Sequence, residues 1–241
     1  MNVDNSLSGW SRRVGGLGVV LALALLSGCA TGPNANPRDP FEPYNRRMTE
    51  FNDQVDALVL RPVAVAYREV TPALVRTGVS NFFANLTDPW SAVNQLLQAR
   101  PAEALENTMR FAFNSVFGLA GLLDIASELG LERHRADLGQ TLGRWGIDTG
   151  PYLVLPLLGP STVRDTLAMS VEARGDLMQR IDPADLRSGL YGLRLVDRRA
   201  TLLRATEVLD EAALDRYSFT RDVWLQRRGA RLQEDDGDPP R

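Results

Sequence analysis

Between residues 44 and 228, apolar positions recur at helical spacing and the pattern is broken mainly at prolines. Tyr44, Met48, Phe51, Val55 and Leu58 lie 4, 3, 4 and 3 residues apart, one stripe of a helix. Pro62 interrupts it, and Val63 to Val70 continues briefly before Thr71-Pro72. Leu74, Val75, Val79, Phe82 and Phe83 form a second stripe that ends near Asn85. Asp88-Pro89 then reads as an N-cap with proline at the first helical position. It starts a helix lined by Trp90, Val93, Leu96 and Leu97. Arg100-Pro101 opens another, whose apolar face carries Leu105, Met109, Phe113 and Phe117. Further helices are expected from Ser161, from Asp182-Pro183 to about Leu209, and from Asp215 to Arg228. No repeated module and no run of alternating strands is found. The pattern predicts a mainly α fold, one domain over 41–228, with a polar, disordered tail at 229–241.

Two stretches depart from the amphipathic pattern. Phe111 to Leu123 and Thr149 to Val163 carry no charge. A helix with one face in water shows polar residues every turn, and these do not. Both are too short to cross a bilayer as helices, and the second holds Pro151, Pro156 and Pro160. They are either buried core or surfaces that face lipid.

The N-terminus adds a membrane context. Arg12 and Arg13 precede an uncharged run from Val14 to Leu26, followed by Leu26-Ser27-Gly28-Cys29. Charge, a short apolar run and small residues make residues 1–28 an export signal. Its end looks like a bacterial lipobox. That resemblance implies cleavage between Gly28 and Cys29, a diacylglycerol on the Cys29 thiol and acylation of the new amine. Each buried CH₂ contributes about 0.8 kcal/mol, so two or three chains anchor a protein durably. Ala30 rather than an aspartate follows, which by the same resemblance favours the outer membrane. Residues 29–40, with glycine and prolines and no large apolar residue before Phe41, read as a lipidated tether.

Composition narrows the chemistry. From Cys29 onward, 25 arginines face 29 acidic residues, which argues against nucleic acid as a partner. There is no lysine, which removes a Schiff base and a Ser-Lys dyad. Cys29 is the only cysteine, so disulfides and thiolate metal sites are excluded. His134 is the only histidine and lies in a charged stretch, Glu132-Arg133-His134-Arg135, typical of a solvated loop. No G-x-S-x-G elbow or phosphate-binding loop occurs. No catalytic residue, metal or cofactor is expected.

The body resembles the MlaA/VacJ family of outer-membrane lipoproteins. The resemblance rests on DPFEPYNRRMTEFN (39–52), RPVAVAYREVTP (61–72), VRTGVSNFFANLTDPWSAVNQLLQ (75–98) and RFAFNSVFGLAGLLDIA (110–126). LGQTLGRWGIDTGPYLVLPLLGPSTVRD (138–165) is the most distinctive stretch, and VDRRATLLRATEVL (196–209) is weaker. It implies a ring-like helical domain in the inner leaflet of the outer membrane, with amphipathic helices in the membrane plane. A short irregular Gly/Pro-rich segment is expected near 139–160. The implied function is non-enzymatic: removal of misplaced phospholipids from the outer leaflet through an amphipathic channel to a soluble periplasmic carrier, beside a trimeric porin. The alternative is a lipoprotein scaffold that bridges porin and carrier without conducting lipid.

A headgroup crossing the ring needs polar lining, because moving a charged phosphate through hydrocarbon costs many kcal/mol. Candidates are the polar residues within apolar segments: Asn85, Asp88, Asn94, Asn114, Asp124, Asp148, Arg164 and Asp165. Arg164 suits phosphate best. Each is also open to a bland role as helix cap, ion pair or turn, and Asp88 before Pro89 reads as a cap. Arg164 and Asp165, adjacent in a helix, are expected to diverge and take separate partners. Phe51 and Asn52, with Gly139, Gly143, Gly146 and Gly150, match family motifs and are candidates for the channel rim or for structural turns.

Overall fold

The structure, a computed structural model, describes residues 36–234. The export signal and most of the tether, with Gly28 and Cys29, lie outside the described residues. The elements are α1 (Glu42–Val55), a π turn (Asp56–Leu60), α2 (Arg61–Val70), α3 (Ala73–Leu97) and α4 (Pro101–Val116). Then come α5 (Ile125–Glu128), α6 (Leu138–Arg144), strands β1 (Tyr152–Leu155) and β2 (Gly159–Thr162), and α7 (Val163–Gly175). A 3₁₀ turn (Leu177–Arg180), α8 (Ala184–Ala212) and α9 (Arg216–Glu234) complete the chain. The mainly α class expected from periodicity is the observed one.

Several boundaries differ from the sequence reading. Pro62 does not break the chain: the π turn absorbs it, and the Arg61 amide reaches back to the Asp56 carbonyl. Pro89 lies inside α3, so Asp88 is not an N-cap. A proline in a helix interior costs about 3 kcal/mol. Here α3 packs along α4 and α8, and the tertiary burial outweighs that cost. Asp182 makes no cap bond to α8, which starts after Pro183. The segment near 139–160 is not wholly irregular. It holds the antiparallel β1–β2 pair, with Tyr152 opposite Thr162 and Leu155 opposite Gly159. The helix expected from Ser161 starts at Val163 instead, capped by the Thr162 hydroxyl accepting from the Asp165 amide. The last helix continues past Arg228 to Glu234.

Contacts run around a closed circuit. Asp197 of α8 accepts from Tyr67 of α2 at 3.1 Å and from Ser80 of α3 at 2.7 Å. Thr141 of α6 donates to Asn94 of α3 at 2.8 Å. Asp137, at the start of α6, pairs with Arg228 of α9. Tyr217 and Arg221 of α9 both donate to Asp39, just before α1. Helix α1 leads through the π turn back to α2. A small aromatic core, Tyr152, Val154 and Tyr217 with Met48, Trp224 and Leu225 against it, sits where α1, β1 and α9 meet.

Candidate functional site

Helix α4 sets the character of the site. Its buried residues are Ala104, Asn107, Arg110 and Asn114, one face at helical spacing and mostly polar. Its apolar face, Leu105, Met109, Val116 and Phe117, is exposed. Helix α3 repeats the inversion. Asn85, Asp88, Ser91, Asn94 and Gln95 are buried, whereas Leu74, Val75, Val93, Leu96 and Leu97 are exposed. Among the described residues, polar side chains outnumber apolar ones in the fully buried set. In water-soluble proteins the telling features are buried polar groups and large exposed apolar patches, and both occur here on the same helices.

The inward polar face of α4 grips α5 and the residues on either side of it. Arg110 donates to both Asp124 oxygens, at 2.7 and 2.8 Å, and to the Leu131 carbonyl. Asn114 donates to Asp124 at 2.9 Å and accepts the Ala126 amide at 2.9 Å. Burial pushes the Asp124 carboxyl up, but hydrogen bonds from Ser127 and Asn114 and the charge of Arg110 outweigh it and hold it at about 2. Asn107 clasps the backbone of His134, donating to its carbonyl at 2.6 Å and accepting its amide at 3.1 Å. The His134 ring is 2.7 Å from Glu106, so it is tied down rather than free in a loop. Arg133 reaches the buried Asp88 at 3.1 Å. Burial raises Asp88 to about 6, against the opposing pull of Arg133 and Arg110. Arg110, Asp124 and Arg133 line an open cleft of about 550 Å³.

A second polar cluster joins α6, α7 and α9. Arg164 Nε donates to Asp165 at 3.1 Å, so these neighbours pair instead of diverging as expected. Both sit in the first turn of α7, and the buried surroundings turn them toward each other. Arg164 also donates to the Ile147 carbonyl at 3.0 Å, while its Nη2 is buried without a hydrogen-bond partner. Arg228 Nε donates to Asp165 at 2.8 Å. Gly139 makes this possible. A Cβ there would lie 2.4 Å from Asp165 Oδ1 and 2.7 Å from Arg228 Nη2.

The remaining expected residues fall apart from one another. Asn94 bonds Thr141 and the Trp90 carbonyl. Asn85 bonds Ser115 at 3.0 Å. Asp148 is exposed and accepts from Thr149 and the Gly150 amide, bonds that lower its pKa. Gly143 lies in the last turn of α6, its carbonyl accepting the amide of Gly146, which has φ +87°. Phe51 is exposed, whereas Asn52 bonds the hairpin, donating to the Leu155 carbonyl at 2.9 Å and accepting the Leu157 amide at 2.7 Å. Sequence reasoning missed Arg110, Asn45, Asp39 and Asp197. A charged or amide residue on a helix normally reads as solvent-facing. The available signal was that Asn107, Arg110 and Asn114 share one face opposite the apolar stripe.

Among the described residues no helix is long and apolar enough to cross a membrane, and no acidic, histidine or cysteine cluster could hold a metal. The profile of the MlaA lipoprotein family matches residues 37–231. The chain belongs to the MlaA lipoprotein family. It is 34% identical over 221 residues to the intermembrane phospholipid transport system lipoprotein MlaA of Shigella flexneri, covering 87% of this chain and 85% of that one. The lipoprotein of the same name from Escherichia coli K12 matches to the same extent, 34% over 221 residues. A solved chain from work on the structural basis for maintenance of bacterial outer membrane lipid asymmetry matches with TM-score 0.70 and 34% identity. That match covers 79% of this MlaA-family chain and 96% of the solved one.

Proposed function

We propose that this MlaA-family chain is a non-enzymatic lipoprotein that removes misplaced phospholipid from the outer leaflet and hands it to a soluble periplasmic carrier. The observation that carries this reading is the inversion of α3 and α4, with apolar side chains outward and polar ones inward. Such helices are stable where acyl chains replace water around them, lying in the plane of one leaflet. A polar interior then offers the headgroup a route that hydrocarbon does not. The unpaired Nη2 of Arg164 is the donor best suited to a lipid phosphate along that route. Cys29, acylated after cleavage at Gly28, holds the body to the outer membrane facing the periplasm. A trimeric porin is the proposed neighbour. Catalysis is not part of the proposal.

The deciding experiment deletes the gene and measures phospholipid exposed in the outer leaflet. Exposure should rise, return to normal with the wild-type chain, and stay high with Cys29→Ala. Normal exposure in the deletion strain would defeat transport. Exposure rescued by a chain whose interior is blocked with bulky side chains would favour the scaffold reading.

A further inference from the structure

The turn between β1 and β2 places two large apolar residues at the tip of the hairpin. Leu157 and Leu158 are 58% and 68% exposed. Leu157 holds φ +62°, a left-handed conformation that glycine or asparagine adopts at least cost. It is held there by Asn52, which takes the Leu157 amide and the Leu155 carbonyl. The hairpin lies along α1, because Asn45, two turns earlier, takes the Tyr152 carbonyl and the Val154 amide. Phe51, next to Asn52 on α1, and Leu58 in the π turn are exposed apolar residues as well. No charge occurs between Thr149 and Val163.

The base of the same hairpin receives the tether. The Tyr152 amide donates to the Arg38 carbonyl at 3.0 Å, and Asp39 is fixed by Asn45, Tyr217 and Arg221. From Asn36 back to Cys29 is seven residues, a reach of at most about 25 Å. The four residues of β1 span roughly 13 Å. Lipid on Cys29 is therefore confined to within roughly 40 Å of the hairpin tip, and its tether joins the body at the base of the hairpin itself.

We infer that the β1–β2 tip is a membrane wedge: Leu157 and Leu158 enter the acyl region of the same leaflet that holds the Cys29 lipids. This rests on the acylation of Cys29 proposed above. The wedge fixes the tilt of the body, because a tether alone allows rotation. Asn52 is its positioning residue.

The test uses the full acylated chain, in which the native thiol is blocked, carrying Leu158→Cys labelled with an environment-sensitive fluorophore. The protein is reconstituted in phosphatidylethanolamine–phosphatidylglycerol vesicles. The label should shift to the blue, lose emission to nitroxide-bearing lipids and resist aqueous iodide, whereas a label at Arg204→Cys stays water-like. Adding Asn52→Ala should return the Leu158 label toward iodide access. Free iodide quenching at position 158 would overturn the wedge. So would a shielded label insensitive to nitroxide lipids, since protein would then cover the tip. Intact mass reads acylation separately, so loss of the Cys29 lipid is distinguishable from failure of the wedge.

Discussion

Arg110 and Asp124 form a two-bond ion pair through a single amino group, Nη2, at 2.7 and 2.8 Å. The guanidinium side is 1% exposed and the carboxylate side 21%. Removing the carboxylate charge therefore strands a buried cation. Asp124→Asn should cost about 3 kcal/mol at neutral pH, read from the urea midpoint.

The same pair sets an acid dependence. A carboxylate held at about 2 stabilises the fold above its unfolded value near 4 and loses that contribution as pH falls through 2. Wild type should lose stability between pH 4 and 2 faster than Asp124→Asn does. Equal slopes in acid denaturation would count against the pairing.

Asp88 should behave in the opposite sense. Burial raises it to about 6, so its contribution is fully present below pH 4 and is lost as pH rises through 6. Asp88→Asn should flatten the stability change between pH 4 and 6, by on the order of 2 kcal/mol. Thermal midpoints of both proteins across that window check it, and an unchanged slope would refute it.

Two glycines in the same segment should respond differently to alanine. Gly139→Ala drives a methyl into Asp165 and Arg228, and overpacking of this kind costs about 1–3 kcal/mol. Gly146 has open space around it but φ +87°, so alanine there costs only about 1 kcal/mol. Arg228→Ala should remove only part of the difference between the two, measured as a double-mutant cycle, because Asp165 Oδ1 still lies closest to the added methyl.

Asn45 and Asn52 pin opposite ends of one hairpin, and exchange should tell them apart. Asn45 is fully buried and bonds Asp39, Tyr152 and Val154. Losing it should cost about 2 kcal/mol globally. Asn52→Ala should leave global stability nearly intact while the Leu157 amide exchanges with solvent much faster. Hydrogen exchange by mass spectrometry reads both.

Most helices were legible because a 3.6-residue period survives whichever face is turned outward. What the period does not say is which medium each face meets. Leu105, Met109 and Phe117 looked like an ordinary apolar face, and only the burial of Arg110 and Asn114 on the opposite side reverses that reading. Asp88-Pro89 looked like a start signal because local chemistry favours a cap. Long-range pairing with Arg133 and packing along α4 and α8 prevailed over it. The hairpin was hidden because its register is set by Asn45 and Asn52, roughly a hundred residues away. Arg164 and Asp165 were placed on α7 correctly, but their mutual bond depends on a buried setting that spacing does not encode.

The clasp of Tyr217 and Arg221 on Asp39 has a mechanical meaning. If Cys29 carries the proposed lipid, any force on it enters the body at residues fastened sideways to α9, so the load is shared at once by the first and last parts of the fold. Tugging at the leash would strain the C-terminal helix as directly as the N-terminal one, and a chain lacking α9 would meet that pull with its first helix alone.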